Sequence, residues 1–311
     1  MTRLTTCVTL ALAAGAAFSA PKVYLSSTNG GVYELDTSYT PVLLGSPGGV
    51  INGIIATRTE LVTVDHIGVL QKLDPLNGAV APHAQLWHGI AGSAITNNGN
   101  QVFVSDSAGN IVYFDENGDE VNTYYAGLEV SAMLVDGDNL VIGSPNTFIL
   151  SAPFGDPNFQ FISACGGIVN SLALTDTHLF AGDANGTVYR FTADGGAYET
   201  TFATTTDAKG VAVFEGELLV AGSDGTLEFR DPISGALLDT AELGIPVSGI
   251  VVANLCPADI SADGNLDVDD VDGFVAAFLG ADMALADCNA SGELNIDDVD
   301  CFVASFLAGC P

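Results

Sequence analysis

Two stretches near the C-terminus place oxygen-bearing side chains at the same intervals. In the first, Asp259, Ser261, Asp263, Asn265, Asp267 and Asp270 occupy positions 1, 3, 5, 7, 9 and 12 of a twelve-residue run. In the second, Asp287, Asn289, Ser291, Glu293, Asn295 and Asp298 occupy the same positions. Gly264 and Gly292 stand at position 6, where a chain wrapping around an ion must turn sharply. Such a run offers a ring of oxygens to a hard cation, and calcium is the cation whose coordination number it suits. Position 7 gives its backbone carbonyl and position 9 acts through a water, so two calcium ions are expected. The first run has Asp at positions 1, 5, 9 and 12, whereas the second, whose Glu293 stands at the position that binds through its backbone, keeps side-chain carboxylate ligands only at 1 and 12. The second site should therefore be the weaker.

Something must hold each loop in shape, and the residues that follow supply it. Val271, Phe274, Val275, Phe278 and Leu279 recur at helical spacing after the first loop, and Val299, Phe302, Val303, Phe306 and Leu307 repeat them after the second. Each set predicts a helix with one apolar stripe, and the two stripes can pack together. Leu266 and Leu294, both at position 8, are placed to pin the loops to each other. No helical pattern precedes either loop. This loop-then-helix unit, duplicated and flanked by "CPAD" and "AGCP", resembles a dockerin module with paired EF-hand-type loops, in its planctomycete-like GC type. The resemblance covers Cys256–Pro311 and implies calcium-dependent docking to a cohesin-like or other extracellular protein. It also implies that the end cysteines pair as Cys256–Cys310, which leaves Cys288–Cys301 to staple the second loop to its helix; four cysteines allow three pairings. Cellulosomal members carry Ser/Thr-type recognition residues at positions 10 and 11. Here those slots hold Val268-Asp269 and Ile296-Asp297, which points to a partner other than a cellulosomal cohesin.

The preceding 250 residues repeat as well. "KVYLSSTNGGVYELD", "ELVTVDHIGVLQKLD", "QVFVSDSAGNIVYFD", "NLVIGSPNTFILSAP", "HLFAGDANGTVYRFT" and "ELLVAGSDGTLEFRD" recur about every 39 residues. Each reads as two strands around a tight turn. Small-residue-rich apolar strands alternate with them: "VINGIIA", "GSAITNN", "VSAMLVD", "VNSLALT", "AKGVAVF" and "VSGIVVA". A further strand follows each hairpin, as in "VNTYYAGL". Four strands per repeat of about 40 residues predict a six-bladed β-propeller. The first hairpin lacks an inner strand and the last inner strand, Val247–Ala253, lacks a hairpin, so the two should join and close the ring. The blades resemble PQQ-repeat and WD-repeat propellers, most closely in "VAGSDGTLEFRDPISGALLDT". A single tryptophan, Trp87, argues against a quinone cofactor, since quinone-dependent propellers lean on repeated docking tryptophans.

Composition narrows the partners. The chain of 311 residues has 38 acidic and 7 basic residues, a formal net charge of -31. That surface repels nucleic acid and anionic lipid. The N-terminus "MTRLTTCVTLALAAGAAFSAPKVY" has Arg3, a short apolar run and small residues before Ala20, the pattern of a cleaved secretory signal over residues 1–19. Export would put the cysteines in an oxidising compartment. No other segment is long and apolar enough to span a bilayer.

No metal-hydrolase, serine-hydrolase or phosphate-loop motif appears. His66, His83, His88 and His178 are scattered, Cys165 has no local base and reads as a buried free thiol, and Trp87 with His88 could line one mouth of the ring as a ligand surface. The sequence thus predicts three segments: a signal over 1–19, a propeller over 20–254 and a calcium-binding tail over 255–311. The expected protein is an exported, non-catalytic binding or scaffold propeller, presenting one face to a glycan, protein or small ligand. The competing expectation is a polysaccharide-active enzyme, a glycoside hydrolase or lyase, tethered by the same tail.

Overall fold

The computed structural model describes residues 21–57, 59–75, 77–86, 91–98, 101–115, 117–193, 197–253, 258, 260, 268–280, 286, 288 and 294–308. The expected signal over residues 1–19 lies outside them. Two compact units emerge, one of Pro21–Leu255 and one that includes Cys256–Pro311.

The larger unit is six four-stranded antiparallel sheets. The first joins β1 (Lys22–Ser27), β2 (Val32–Leu35) and β3 (Pro41–Gly45). The second is β4 (Ile51–Ala56), β5 (Leu61–Asp65), β6 (Val69–Leu73) and β7 (Val80–Gln85); the third is β8 (Gly92–Asn97), β9 (Val102–Asp106), β10 (Asn110–Phe114) and β11 (Glu120–Tyr125). The fourth is β12 (Ala132–Asp136), β13 (Asn139–Gly143), β14 (Phe148–Pro153) and β15 (Gln160–Ala164). The fifth is β16 (Val169–Leu174), β17 (His178–Asp183), β18 (Thr187–Thr192) and β19 (Tyr198–Ala203). The sixth is β20 (Gly210–Phe214), β21 (Glu217–Ala221), β22 (Thr226–Arg230) and β23 (Leu237–Glu242). The last strand, β24 (Val247–Ala253), returns to the first sheet and pairs antiparallel with β1, Lys22 opposite Ala253 and Leu25 opposite Ile250. The ring is a six-bladed β-propeller closed by its late strand, as the mismatched ends of the repeat predict.

The core is distributed between the blades. Six buried apolar clusters fill the six blade-to-blade interfaces; one, for example, joins Val62, Val64 and Leu70 of the second blade to Ile95, Val104 and Val112 of the third. A second strand of a blade is buried on both faces, which is why runs such as "LLVA" and "LFAG" are continuously apolar rather than alternating. The outermost strands are largely exposed.

Part of the acidity closes turns. Asp65, Asp106 and Asp183 each accept, through Oδ1, the backbone N–H groups two and four residues ahead at 2.8–3.0 Å. Asp36 and Asp115 do the same in outer turns. A carboxylate there replaces backbone partners the turn has lost.

The smaller unit contains helices α1 (Val268–Gly280) and α2 (Ile296–Ala308). Phe274 stacks on Phe302 with ring centroids 4.2 Å apart, and Val271, Phe278, Val299 and Phe306 pack around them. No helix among the described residues is long and apolar enough to cross a membrane.

Candidate functional site

Strands β4, β8, β12, β16, β20 and β24 surround the propeller axis and enclose a cavity of about 210 Å³. Its lining follows from one repeated irregularity. In four blades the inner strand carries one residue more than its partner at the start, so that Asn52, Ser93, Asn170 and Ser248 stand between paired neighbours as β-bulges. Ser131 and Lys209 take the equivalent place in the other two blades, where each N–H donates to the carbonyl already facing the next residue, Gly143 and Ala221. A bulge re-aims a side chain and interrupts pairing. Six such positions, four of them bulged, build a polar ring around the axis.

Behind that ring the next position is small in every blade, and the one after it is apolar. The reason is steric. A Cβ on Gly53 would come within 2.7 Å of Ile95 Cγ2 in the neighbouring blade, and one on Gly210 within 2.5 Å of Ile250 Cγ2. Close approach at the axis therefore demands glycine, alanine or serine, as the sequence pattern suggested. Ile54, Ile95, Met133, Leu172, Val211 and Ile250 make the apolar collar of the cavity.

In four blades the carbonyl just before the polar residue accepts a side-chain hydrogen bond from the preceding blade. Asn52 Nδ2 donates to Gly92 O at 2.6 Å, Ser105 Oγ to Val130 O at 3.2 Å, Ser131 Oγ to Val169 O at 2.5 Å and Ser171 Oγ to Ala208 O at 3.3 Å. Because Ser171 serves Ala208, the neighbouring Asn170 is not needed for it. Asn170 Nδ2 is buried and has no hydrogen-bond partner.

The propeller's other titratable groups do not converge. His66 is exposed at a turn and accepts the Val50 N–H through Nδ1 at 3.4 Å. His178 contacts Glu199, 3.2 Å away, which also takes Arg190 Nε at 2.8 Å. Burial, reinforced by Lys72 and opposed by Asp115, lowers the His83 pKa to about 4. Cys165 is a buried free thiol, as expected; burial first and Asp183 second push it up to about 12, so it carries almost no thiolate at neutral pH. Glu228 and Arg230 form a buried pair at 2.6 Å, with Glu228 Oε1 also accepting the Thr205 N–H at 2.7 Å. Burial alone would raise the Glu228 pKa; the bonds from Arg230 and Thr205 outweigh it and lower the pKa. Trp87 and His88, the expected ligand surface, fall between β7 and β8 and outside the described residues.

In the tail, Asp270, Asn295 and Asp298 are described and the other nine expected calcium ligands are not: Asp259, Ser261, Asp263, Asn265, Asp267, Asp287, Asn289, Ser291 and Glu293. Among the described residues no group of three or more His, Cys, Asp or Glu side chains is arranged to hold a metal. The two position-12 aspartates, Asp270 and Asp298, are fully buried in the first turns of their helices. Asn295 Oδ1 accepts the Asp297 N–H at 2.7 Å, and Asp298 Oδ2 accepts the Asn295 N–H at 2.8 Å, a reciprocal cap that starts α2. Cys288 and Cys301 are disulfide-bonded, as the dockerin resemblance implied; Cys256 and Cys310 lie outside the described residues.

The helix stripes are narrower than their spacing predicts. Val275 and Leu279 of α1 are 47% and 80% exposed, and their repeat partners Val303 and Leu307 of α2 are 45% and 80% exposed. Val268 and Ile296, at position 10 of the loops, are 66% and 67% exposed. Two helices packed edge to edge can bury only the side chains along one seam, and the flank of each stripe faces water.

No family model matches the chain, and no curated protein does. Solved structures do. One chain of a nidogen/laminin complex superposes with a TM-score of 0.67 at 15% identity, covering 76% of this chain and 99% of its own. The computationally designed Ika8 protein matches with a TM-score of 0.50 at 17% identity, covering 72% of this chain and 73% of its own. The shared property is the fold. At these identities the likeness establishes architecture and leaves function to the chain's own residues.

Proposed function

We propose that this chain is an exported, non-catalytic propeller that binds a ligand through its ring and is held at an extracellular site by a calcium-dependent docking tail. The observation that carries the reading is the pair of matching apolar sets, Val268, Val275 and Leu279 on α1 and Ile296, Val303 and Leu307 on α2, exposed despite a compact core beneath them. Large apolar side chains kept in water at equivalent positions of a duplicated unit are what a protein-binding face requires. The burial of Asp270 and Asp298 fits the metal. Both stand at position 12, where a carboxylate would close its loop around a calcium ion and cross-link the loop to the helix that follows. Asp259, Ser261, Asp263, Asn265, Asp267 and Asp270 would hold one ion, and Asp287, Asn289, Ser291, Glu293, Asn295 and Asp298 the other. The partner reading also draws on the nidogen/laminin neighbour, a propeller chain found in a protein complex.

Adding calcium to chelator-treated protein should raise helix content by circular dichroism and enable capture of a partner from the native secretome. Combining Leu279→Asp with Leu307→Asp should abolish that capture while leaving the calcium response intact. An unchanged spectrum on adding calcium would overturn the metal reading. Turnover of a polysaccharide by the propeller, lost on substitution of one of its acids, would replace the binding reading with the enzymatic one.

A further inference from the structure

Five of the seven basic residues are described. Four are spent on neighbouring acids: Lys22 on Glu34, Lys72 on Glu60, Arg190 on Glu199 and Arg230 on Glu228. The fifth, Lys209, makes no ion pair with any described residue, in a chain of net charge -31, and it lines the axial cavity. Asn170, whose Nδ2 is buried without a partner, lines the same cavity from the equivalent bulge of the adjacent blade. The nearby aspartates make other bonds: Asp65, Asp106 and Asp183 direct Oδ1 to the N–H groups of their own turns, and Asp207 Oδ1 accepts the Ser223 N–H.

We infer that the axial cavity binds a small amphiphilic monocarboxylate, its carboxylate taken by Lys209 and Asn170 and its apolar body by the collar beneath them. An ammonium has three donors and no acceptor, and Asn170 Nδ2 adds two more, so the complement must be an acceptor. The collar of Ile54, Ile95, Met133, Leu172, Val211 and Ile250 offers nothing to a fully hydrated ion and favours a hydrocarbon. Charge selects between oxyanions: a single negative charge is matched by Lys209, whereas a second one would meet the field of an acidic protein with no further cation to offset it. A cavity of about 210 Å³ has room for roughly seven waters, or for an organic acid of comparable bulk. The inference concerns the ring alone and stands apart from the tail's calcium.

The test is titration of the full chain with hexanoate, hexanol, hexylamine and inorganic phosphate, followed by calorimetry and ligand-observed NMR at low salt. Hexanoate should bind best. Lys209→Met, which keeps length and removes charge, should weaken it at least about tenfold, the scale of one charge-assisted hydrogen bond, and Lys209→Arg should restore most of the affinity. Asn170→Asp should weaken binding comparably by placing a like charge beside the carboxylate. Thermal melts of each variant confirm that the ring is intact. Absence of hexanoate binding, equal binding of hexanol or hexylamine, tighter binding of phosphate, or full affinity in folded Lys209→Met would each overturn the assignment.

Discussion

At the residue scale, His83 and the Glu228–Arg230 pair set measurable behaviour. His83 has an ordinary value of 6.5 and a folded value of about 4. Between those values the unfolded chain binds more protons than the folded one, so stability rises with pH. The contribution is complete above pH 6.5 and is lost as pH falls towards 4. His83→Gln should therefore give a melting temperature that depends less on pH across this window than the parent's, as followed by differential scanning fluorimetry. The Glu228–Arg230 pair behaves differently. Both side chains are buried, and Arg230 Nη1 also donates to Gly235 O at 2.8 Å. Glu228→Gln leaves a guanidinium buried without its counter-charge, and a loss of about 3–5 kcal/mol is expected in urea unfolding.

At the element scale, the informative unit is the start of the inner strand. A polar residue followed by a small one recurs as Asn52-Gly53, Ser93-Ala94, Ser131-Ala132, Asn170-Ser171, Lys209-Gly210 and Ser248-Gly249. The small member is there because blades meet side chain to backbone at the axis. Gly53→Ala should cost about 1–3 kcal/mol, since its methyl can be accommodated only by moving Ile95 off its rotamer or spreading two blades. The same substitution at Gly244, where a Cβ would meet nothing, tests backbone strain alone, because its φ is +68°. The polar member reads in sequence as noise within an apolar strand. Only the bulge gives it a direction, and its signal was present in the one-dimensional repeat as a polar-small dipeptide at a fixed phase. In the tail the repeat showed which residues are apolar. It could not say which of them face the seam, because a stripe one residue too wide for a two-helix contact looks identical in helical spacing.

At the scale of the whole molecule, closure holds the ring. Residues more than 200 apart pair when β24 meets β1, and Ser26 Oγ meets Ser248 Oγ at 3.0 Å across that seam. Removing β24 together with the tail would leave β1 as an unpaired edge and the last interface half-covered. A chain ending at Pro246 should lose its single cooperative transition and aggregate, whereas a chain ending at Leu255 should unfold as the intact ring does, by calorimetry and light scattering.

The sequence by itself determined the number of blades, the closing strand, the helices of the tail, the buried thiol and the regular spacing of oxygen-bearing side chains. All of these are periodic or local properties, and a repeated unit writes them several times over. The tertiary structure decided which donors are left unspent. Whether Lys209 has an acid beside it, whether Asn170 is needed by the next blade, and whether Leu279 and Leu307 face each other or water depend on neighbours far along the chain. Distance in space, which sets Coulomb energy and desolvation, is not recorded in spacing along the sequence.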